Sequence, residues 1–304
     1  MADRRGAAIW PVLALMLNAL VWGVSWWPFR ELQAHGLHPL WSTALIYLLS
    51  LASLLALRRG ALRAFRAHPQ LWLLLLASGL TNVGFNWAVT VGDVVRVVLL
   101  FYLMPAWTVL LAWPLLGEKP TGGALARLAL ALAGVFTVLQ TGDTGWPWPD
   151  SAADWLALMG GFSFSLTNIL LRKLQDVPAE ARIAAMFSGG AGIALVAGLM
   201  GLAQGVVDPP PAPDAAGVGV ALLLGLAFLC GNIALQYGAA RLSANTTALV
   251  MLSEVIFASG SSVALGAADM TSRTWIGGAL ILAAAAWSAW PASAPDKPAA
   301  LTAK

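Results

Sequence analysis

Glu254 is the one acidic residue that stands well inside an apolar run, the stretch from 242 to 268. If a helix begins near Ser243, eleven residues at about 1.5 Å each put its carboxyl roughly 16 Å along that helix, near the centre of a bilayer. An ionised side chain at that depth costs about 2.5 to 3.5 kcal/mol on insertion scales, so it must face a cavity, find a partner or carry a proton. Two readings stand side by side. Glu254 is a partner for a substrate amine or a proton carrier, or it is a hydrogen-bonded structural carboxyl. No basic residue in the sequence is placed to neutralise it at mid-depth.

Amides recur in the same setting. Asn18, Asn82, Asn86, Asn168, Asn232 and Gln236 all lie within otherwise apolar runs. They offer donors and acceptors to a zwitterion that has shed its water, although similar bonds also join neighbouring helices for about 0.6 kcal/mol on average. Asn82 and Asn232 read as a symmetric structural pair, Asn82 being a substrate-binding candidate as well, and Asn86 and Gln236 as site candidates. Trp22, Trp26, Trp87, Tyr102, Trp107 and Tyr237 are the deeper aromatic residues, and stacking on an aromatic solute is worth about 0.5 to 1.5 kcal/mol per pair. Core packing is the alternative for each. The remaining candidates to touch substrate are Ser25, Ser165 and Asn168. Pro28, Pro105 and Pro114 free backbone carbonyls and can kink helices, which suits gating and also occurs in static bundles.

Catalytic and metal-binding patterns do not emerge. The chain holds no His-Glu-x-x-His, no Gly-x-Ser-x-Gly and no Walker loop. Its three histidines, His35, His38 and His68, fall at the edges of apolar runs, and its single cysteine, Cys230, can neither staple the fold nor make a thiolate site by itself. No enzyme activity, cofactor or metal is expected.

The elements that must hold these residues are membrane helices. Hydrophobic residues make up 59% of the chain and charged residues 10%, against roughly 25% charged in a soluble domain. Runs free of Asp, Glu, Lys and Arg cover 6–29, 32–57, 67–92, 97–117, 128–142, 155–171, 183–207, 215–240, 242–268 (apart from Glu254) and 274–295. About 20 apolar residues span a bilayer, so these are ten candidate transmembrane helices. The fifth run is short unless its helix starts near Gly122 and takes in Arg127, whose side chain can snorkel. The N-terminal Arg4 and Arg5 precede a first helix that is retained rather than cleaved, for want of a small-x-small site.

With a cytoplasmic N-terminus, fourteen of the seventeen Lys and Arg residues fall on the inside, while Asp93, Asp143, Asp150, Asp154, Asp208, Asp214 and Asp269 gather outside. The positive-inside rule then puts both termini in the cytoplasm of a bacterial-type inner membrane. The net charge of +3 is thereby a topology signal, which leaves no support for a nucleic-acid partner. The expected boundaries are 1–8 cytoplasmic, 9–142 a first five-helix unit, 143–153 a connecting loop, 154–290 a second unit and 291–304 a disordered cytoplasmic tail.

Those two units repeat. Ala14-Leu15-Met16 matches Ala157-Leu158-Met159, which sets Trp22 beside Ser165 and Ser25 beside Asn168. Asn82, Asn86 and Trp87 align with Asn232, Gln236 and Tyr237, and Pro105 to Gly117 spans the same distance as Glu254 to Gly266. Five spans per unit force the second to enter the membrane from the opposite side. The expected fold is therefore all-α, ten transmembrane helices as two inverted five-helix repeats, with a substrate site between them.

At Trp22-Gly23-Val24-Ser25, at the Pro105 helix ending in Leu116-Gly117-Glu118, and at Gly277-Gly278-Ala279-Leu280-Ile281-Leu282, the chain resembles the drug/metabolite transporter superfamily, in its ten-helix EamA-type branch. Leu100 to Thr108 is similar to the YddG-type aromatic amino acid exporters. The second unit departs from the pattern, with Glu254 where a Pro is usual and Ala267 where a closing Glu is usual. The resemblance implies a carrier that exports amino acids or related metabolites, with membrane lipids and a small solute as partners and protons as a further candidate.

Overall fold

The computed structural model describes residues 2–58, 60–117, 119–140, 148–239, 241–242, 247, 250–268 and 270–289; the side chains of 2–8, 105, 236, 239, 288 and 289 lie outside that description. Glu118, Ser243, residues 143–147 of the expected connecting loop and the expected tail likewise fall outside it.

The first element is broken. Helix α1 (Ala2–Val24) passes into α2 (Trp26–Ala34) at Ser25. Pro28 explains the break, because it has no N–H for the Val24 carbonyl and its ring crowds that group. The Ser25 hydroxyl donates instead to the Trp22 carbonyl at 2.7 Å. The first run is thus longer than 6–29, and the second begins at Pro39 rather than 32: α3 is Pro39–Leu57, with the His38 ring accepting from the Leu40 N–H. Residues 2–8, expected as part of the cytoplasmic N-terminus, have helical backbone.

A short turn and α4 (Ala64–Ala67) lead to α5 (Gln70–Val91). The fourth run is broken as well, into α6 (Val94–Phe101) and α7 (Met104–Leu116), because Pro105 cannot donate to the Phe101 carbonyl. Pro114 does not repeat that break, since α7 runs on to Leu116 and ends at Gly117 with φ 74°, a left-handed turn that favours glycine. Helix α8 is Gly122–Leu139, capped by Thr121, and it includes Arg127 as expected. Then come α9 (Ala152–Lys173), α10 (Ala179–Ala203), α11 (Ala215–Ala239), α12 (Ser253–Ala264) and α13 (Ser272–Ala289).

Eight of the described elements are long and apolar enough to cross a membrane, counting α1 with α2 and α6 with α7 as single elements. The ninth and tenth expected runs correspond to α12, of which 12 residues are helical, and α13. No strand occurs among the described residues. Large apolar side chains such as Trp10, Leu223 and Ile256 are exposed, as they are on a lipid-facing surface. Cys230 is exposed on α11.

Lipid tails are as apolar as leucine, so helices associate in a bilayer by close packing more than by escape from solvent. Glycines permit it here. A Cβ on Gly84 of α5 would sit 2.7 Å from the Leu156 carbonyl oxygen of α9. On α8 and α13 the contact is mutual, a Cβ at Gly134 lying 2.7 Å from the Gly277 oxygen and one at Gly277 lying 2.6 Å from the Gly134 oxygen. Helix α10 packs along both α3 and α5, α1 along α11 and α12, and α6 and α7 along α9. The largest buried cluster sits where α5, α6, α8, α9 and α12 meet, around Phe85, Phe101, Tyr102, Ala157 and Val255.

Candidate functional site

Glu254 lies in the first turn of α12, just past the turn at Leu252, and it is buried. Tyr102 occupies the break between α6 and α7. Its Oη is 3.1 Å from Glu254 Oε2 and 3.2 Å from the Met251 carbonyl oxygen, so its one proton reaches either acceptor. Asn18 of α1 approaches Met251 from the other side, with Nδ2 3.6 Å from the thioether sulfur. The Asn18 Oδ1, on a residue 1% exposed, has no protein partner. Gly23 lets α1 lie against this turn, because a Cβ there would be 2.8 Å from the Glu254 carbonyl oxygen. Among the described residues no cation pairs with Glu254.

Rings form a chain of contacts beside this turn. Trp22 packs on Phe228 with centroids 4.6 Å apart and on Phe85 at 6.0 Å; Phe85 meets Phe101 at 4.8 Å, and Phe101 continues to Tyr102 at 6.3 Å. In the other direction Phe228 leads to Tyr47 and Tyr47 to Phe187. Trp22, Tyr102 and Glu254, singled out from the sequence, thus belong to one neighbourhood. Phe85, Phe101, Phe228 and Tyr47 do not stand out in sequence, because an aromatic residue in an apolar run looks like packing.

The amides divide. The Tyr47 hydroxyl donates to Asn82 Oδ1, whose Nδ2 donates to the Ser78 carbonyl at 2.8 Å, so Asn82 fastens α3 to α5. Asn86 is fully buried and donates to Thr43 at 3.2 Å, and its Oδ1 has no protein partner. Asn232 is half-buried on α11. Asn168 is exposed on α9, away from the buried group. Tyr237 is also exposed, with the Arg241 guanidinium 3.8 Å over its ring. The side chains of Gln236 and Pro105 lie outside the described ones.

Ser165 braces the α6/α7 break, its hydroxyl 2.7 Å from the Met104 carbonyl oxygen and 3.0 Å from that of Gly161. Gly161 itself brings α9 against the freed Phe101 carbonyl, since a Cβ there would be 2.6 Å from that oxygen. Trp107 follows the break, edge-on to Phe162 at 5.6 Å, with its indole nitrogen buried and without a protein partner. Pro28 sits beside the Ser25 break, while Pro114 is exposed.

Charges gather at one end of the bundle. Arg96 grips Asp154 through two contacts of 2.8 Å and donates to the Val138 carbonyl, which joins α6, α8 and α9. Arg30 donates to the Thr90 and Gly92 carbonyls at the end of α5. His35 Nδ1 lies 2.8 Å from Asp214 Oδ2, closing α2 on the start of α11. The Gly217 N–H, followed by His35, holds the Asp214 carboxyl below the usual carboxylate range. Burial lowers the His38 imidazole against the opposing pull of Asp208. Among the described residues no group of three or more metal-ligating side chains assembles.

Residues 9–140 match the model of the EamA-like transporter family. The EamA-like part takes in α1 to α8, and with them Trp22, Asn86 and Tyr102. A protein of known crystal structure superposes with a TM-score of 0.58 at 20% identity, over 91% of this chain and 96% of its own. At that identity the likeness speaks for the fold. No curated protein matches the sequence. Long apolar helices and an EamA-like first part together support a multi-pass membrane protein.

Proposed function

We propose that the chain is a secondary transporter that exports neutral, chiefly aromatic, amino acids and related small metabolites. It works by alternating access between two inverted five-helix halves in a bacterial-type inner membrane. The observation that carries this reading is the meeting of Tyr102 and Glu254, from the turns of two interrupted elements, inside a buried surround of aromatic rings. Interrupted helices near the centre of a bundle are where transporters bind solute.

The repeat has support in how the helices pair. Exchange of the halves carries the α5/α9 contact into α1/α11 and the α6/α9 contact into α1/α12, and both members of each pair occur. Under two-fold symmetry equivalent residues touch only on the axis. Tyr102 meets Met251 at a separation of 149, an offset within the repeat. Tyr47 meets Gly190 at the same offset that relates Ala14 to Ala157.

In this scheme Trp22, Tyr102, Trp107, Asn86, Ser25, Ser165 and Glu254 serve the solute, with Asn82 holding the frame. Gln236, Tyr237 and Asn168 keep the roles that the repeat suggests for them in another state of the cycle. Pro28 and Pro105 mark the hinges, and Pro114 is the third gating candidate. The test is efflux of labelled phenylalanine, tryptophan and leucine from sealed vesicles carrying the purified chain. Efflux of the aromatic pair above that of protein-free vesicles is the expected result, and no movement of any amino acid would refute the substrate class.

A further inference from the structure

We infer that the Glu254 turn is a seat for a primary ammonium group, on which the cation and a proton exclude one another. The inference rests on reading this place as the solute site.

Apart from the Tyr102 hydroxyl and the Asn18 amide N–H, the groups that meet here are acceptors. The Glu254 carboxyl and the Met251 carbonyl both lie within 3.2 Å of the Tyr102 hydroxyl, and Asn18 reaches Met251 from α1 with its Oδ1 unpartnered. An ammonium group brings three donors and no acceptor, which complements that set. A carboxylate would face oxygen atoms.

Among the described residues nothing charged on the packed elements neutralises Glu254. Helices α1 and α6 lie against α12. Helix α1 has no ionisable side chain between Ile9 and Val24, and Asp3, Arg4 and Arg5 stand at its far end. Helix α6 offers Arg96, which is committed to Asp154 and Asp150. Tyr102 is the remaining titratable neighbour, and it is the donor that an incoming ammonium displaces.

A buried carboxyl with no cation is neutral by holding a proton, and an arriving ammonium makes that proton leave. The exchange balances: R–NH3+ and Glu–COOH become the R–NH3+ carboxylate pair and one free proton. With Tyr102 returning to Glu254 after the amine departs, the seat is never left as a bare charge.

The probe is 2-phenylethylamine, whose ring suits the aromatic surround, added to the full-length chain in weakly buffered detergent near neutral pH. Bound amine is counted by dialysis and released protons by an indicator dye. Up to one proton should leave per amine bound, with the yield rising toward one as the pH is lowered and falling as it is raised. The Glu254→Gln chain should release none, and 3-phenylpropionate, with the same ring and a carboxylate, should neither bind nor release. Amine binding without proton release in the unaltered chain, release unchanged by Glu254→Gln, or failure of the amine to bind would each overturn the inference. Should Glu254→Gln fail to fold, Tyr102→Phe is decisive, because removal of the competing phenol should tighten amine binding several-fold, and an unchanged affinity speaks against the seat. Efflux from vesicles without proton release would leave transport standing and remove this site. Proton exchange in detergent without vesicle efflux would do the reverse.

Discussion

Arg96 holds a carboxyl that is 1% exposed, and its removal leaves Asp154 with a charge and no guanidinium. Arg96→Met should therefore cost about 3 to 5 kcal/mol, read as a shift in unfolding midpoint in detergent, and Asp154→Asn in the same chain should restore most of it. Tyr47→Phe is a gentler test. It strands Asn82 Oδ1, and the expected cost is about 0.6 kcal/mol and no more than about 1.7. The sequence shows Arg96 and Asp154 on the same side of the membrane, yet it does not show that they touch. The facing of a helix toward a partner far away in the chain depends on small rotations that apolar runs, greasy all round, leave unmarked. For the same reason Asn168 and Tyr237 look like site residues in sequence and are exposed in this structure. Glu254 was legible because one carboxyl in an apolar run conflicts with its surroundings whichever way the helix turns.

Among the elements, close approach decides which substitutions are tolerated. Gly84→Ala puts a Cβ against the Leu156 backbone and should lower stability by about 1 to 3 kcal/mol. Gly219→Ala meets nothing within 4 Å in the second turn of α11 and should be neutral or stabilising by up to about 1 kcal/mol. Thermal midpoints of the two purified variants, measured side by side, check the contrast. The breaks in α1/α2 and α6/α7 were announced by Pro28 and Pro105, whose missing N–H can be read from the residue type. The turn at Leu252 carries no proline, so the sequence reads one continuous ninth run through a place where the chain turns.

For the whole molecule, the proposed topology predicts labelling. With Cys230 replaced by Ser, a cysteine at Arg63 should react with an impermeant thiol reagent only after cells are opened, and one at Asp150 should react in intact cells. The opposite pattern would invert the molecule. The α2/α11 clasp predicts an acid effect. The folded state holds Asp214 below the ordinary carboxylate range, so its stabilising share is present above that range and is lost as pH falls through it. Asp214→Asn should lower the neutral arm of a midpoint-against-pH curve by that share and, with no carboxylate left to protonate, flatten the acid-side loss. Tyr47 against Gly190 bears on descent. Were identical half-length chains to pair about the proposed axis, this spot would hold tyrosine against tyrosine or glycine against glycine, the one overfull and the other hollow. On the proposed repeat, a ring seated over a bare backbone requires two different residues at one equivalent position, which identical halves lack and two diverged halves in one chain supply.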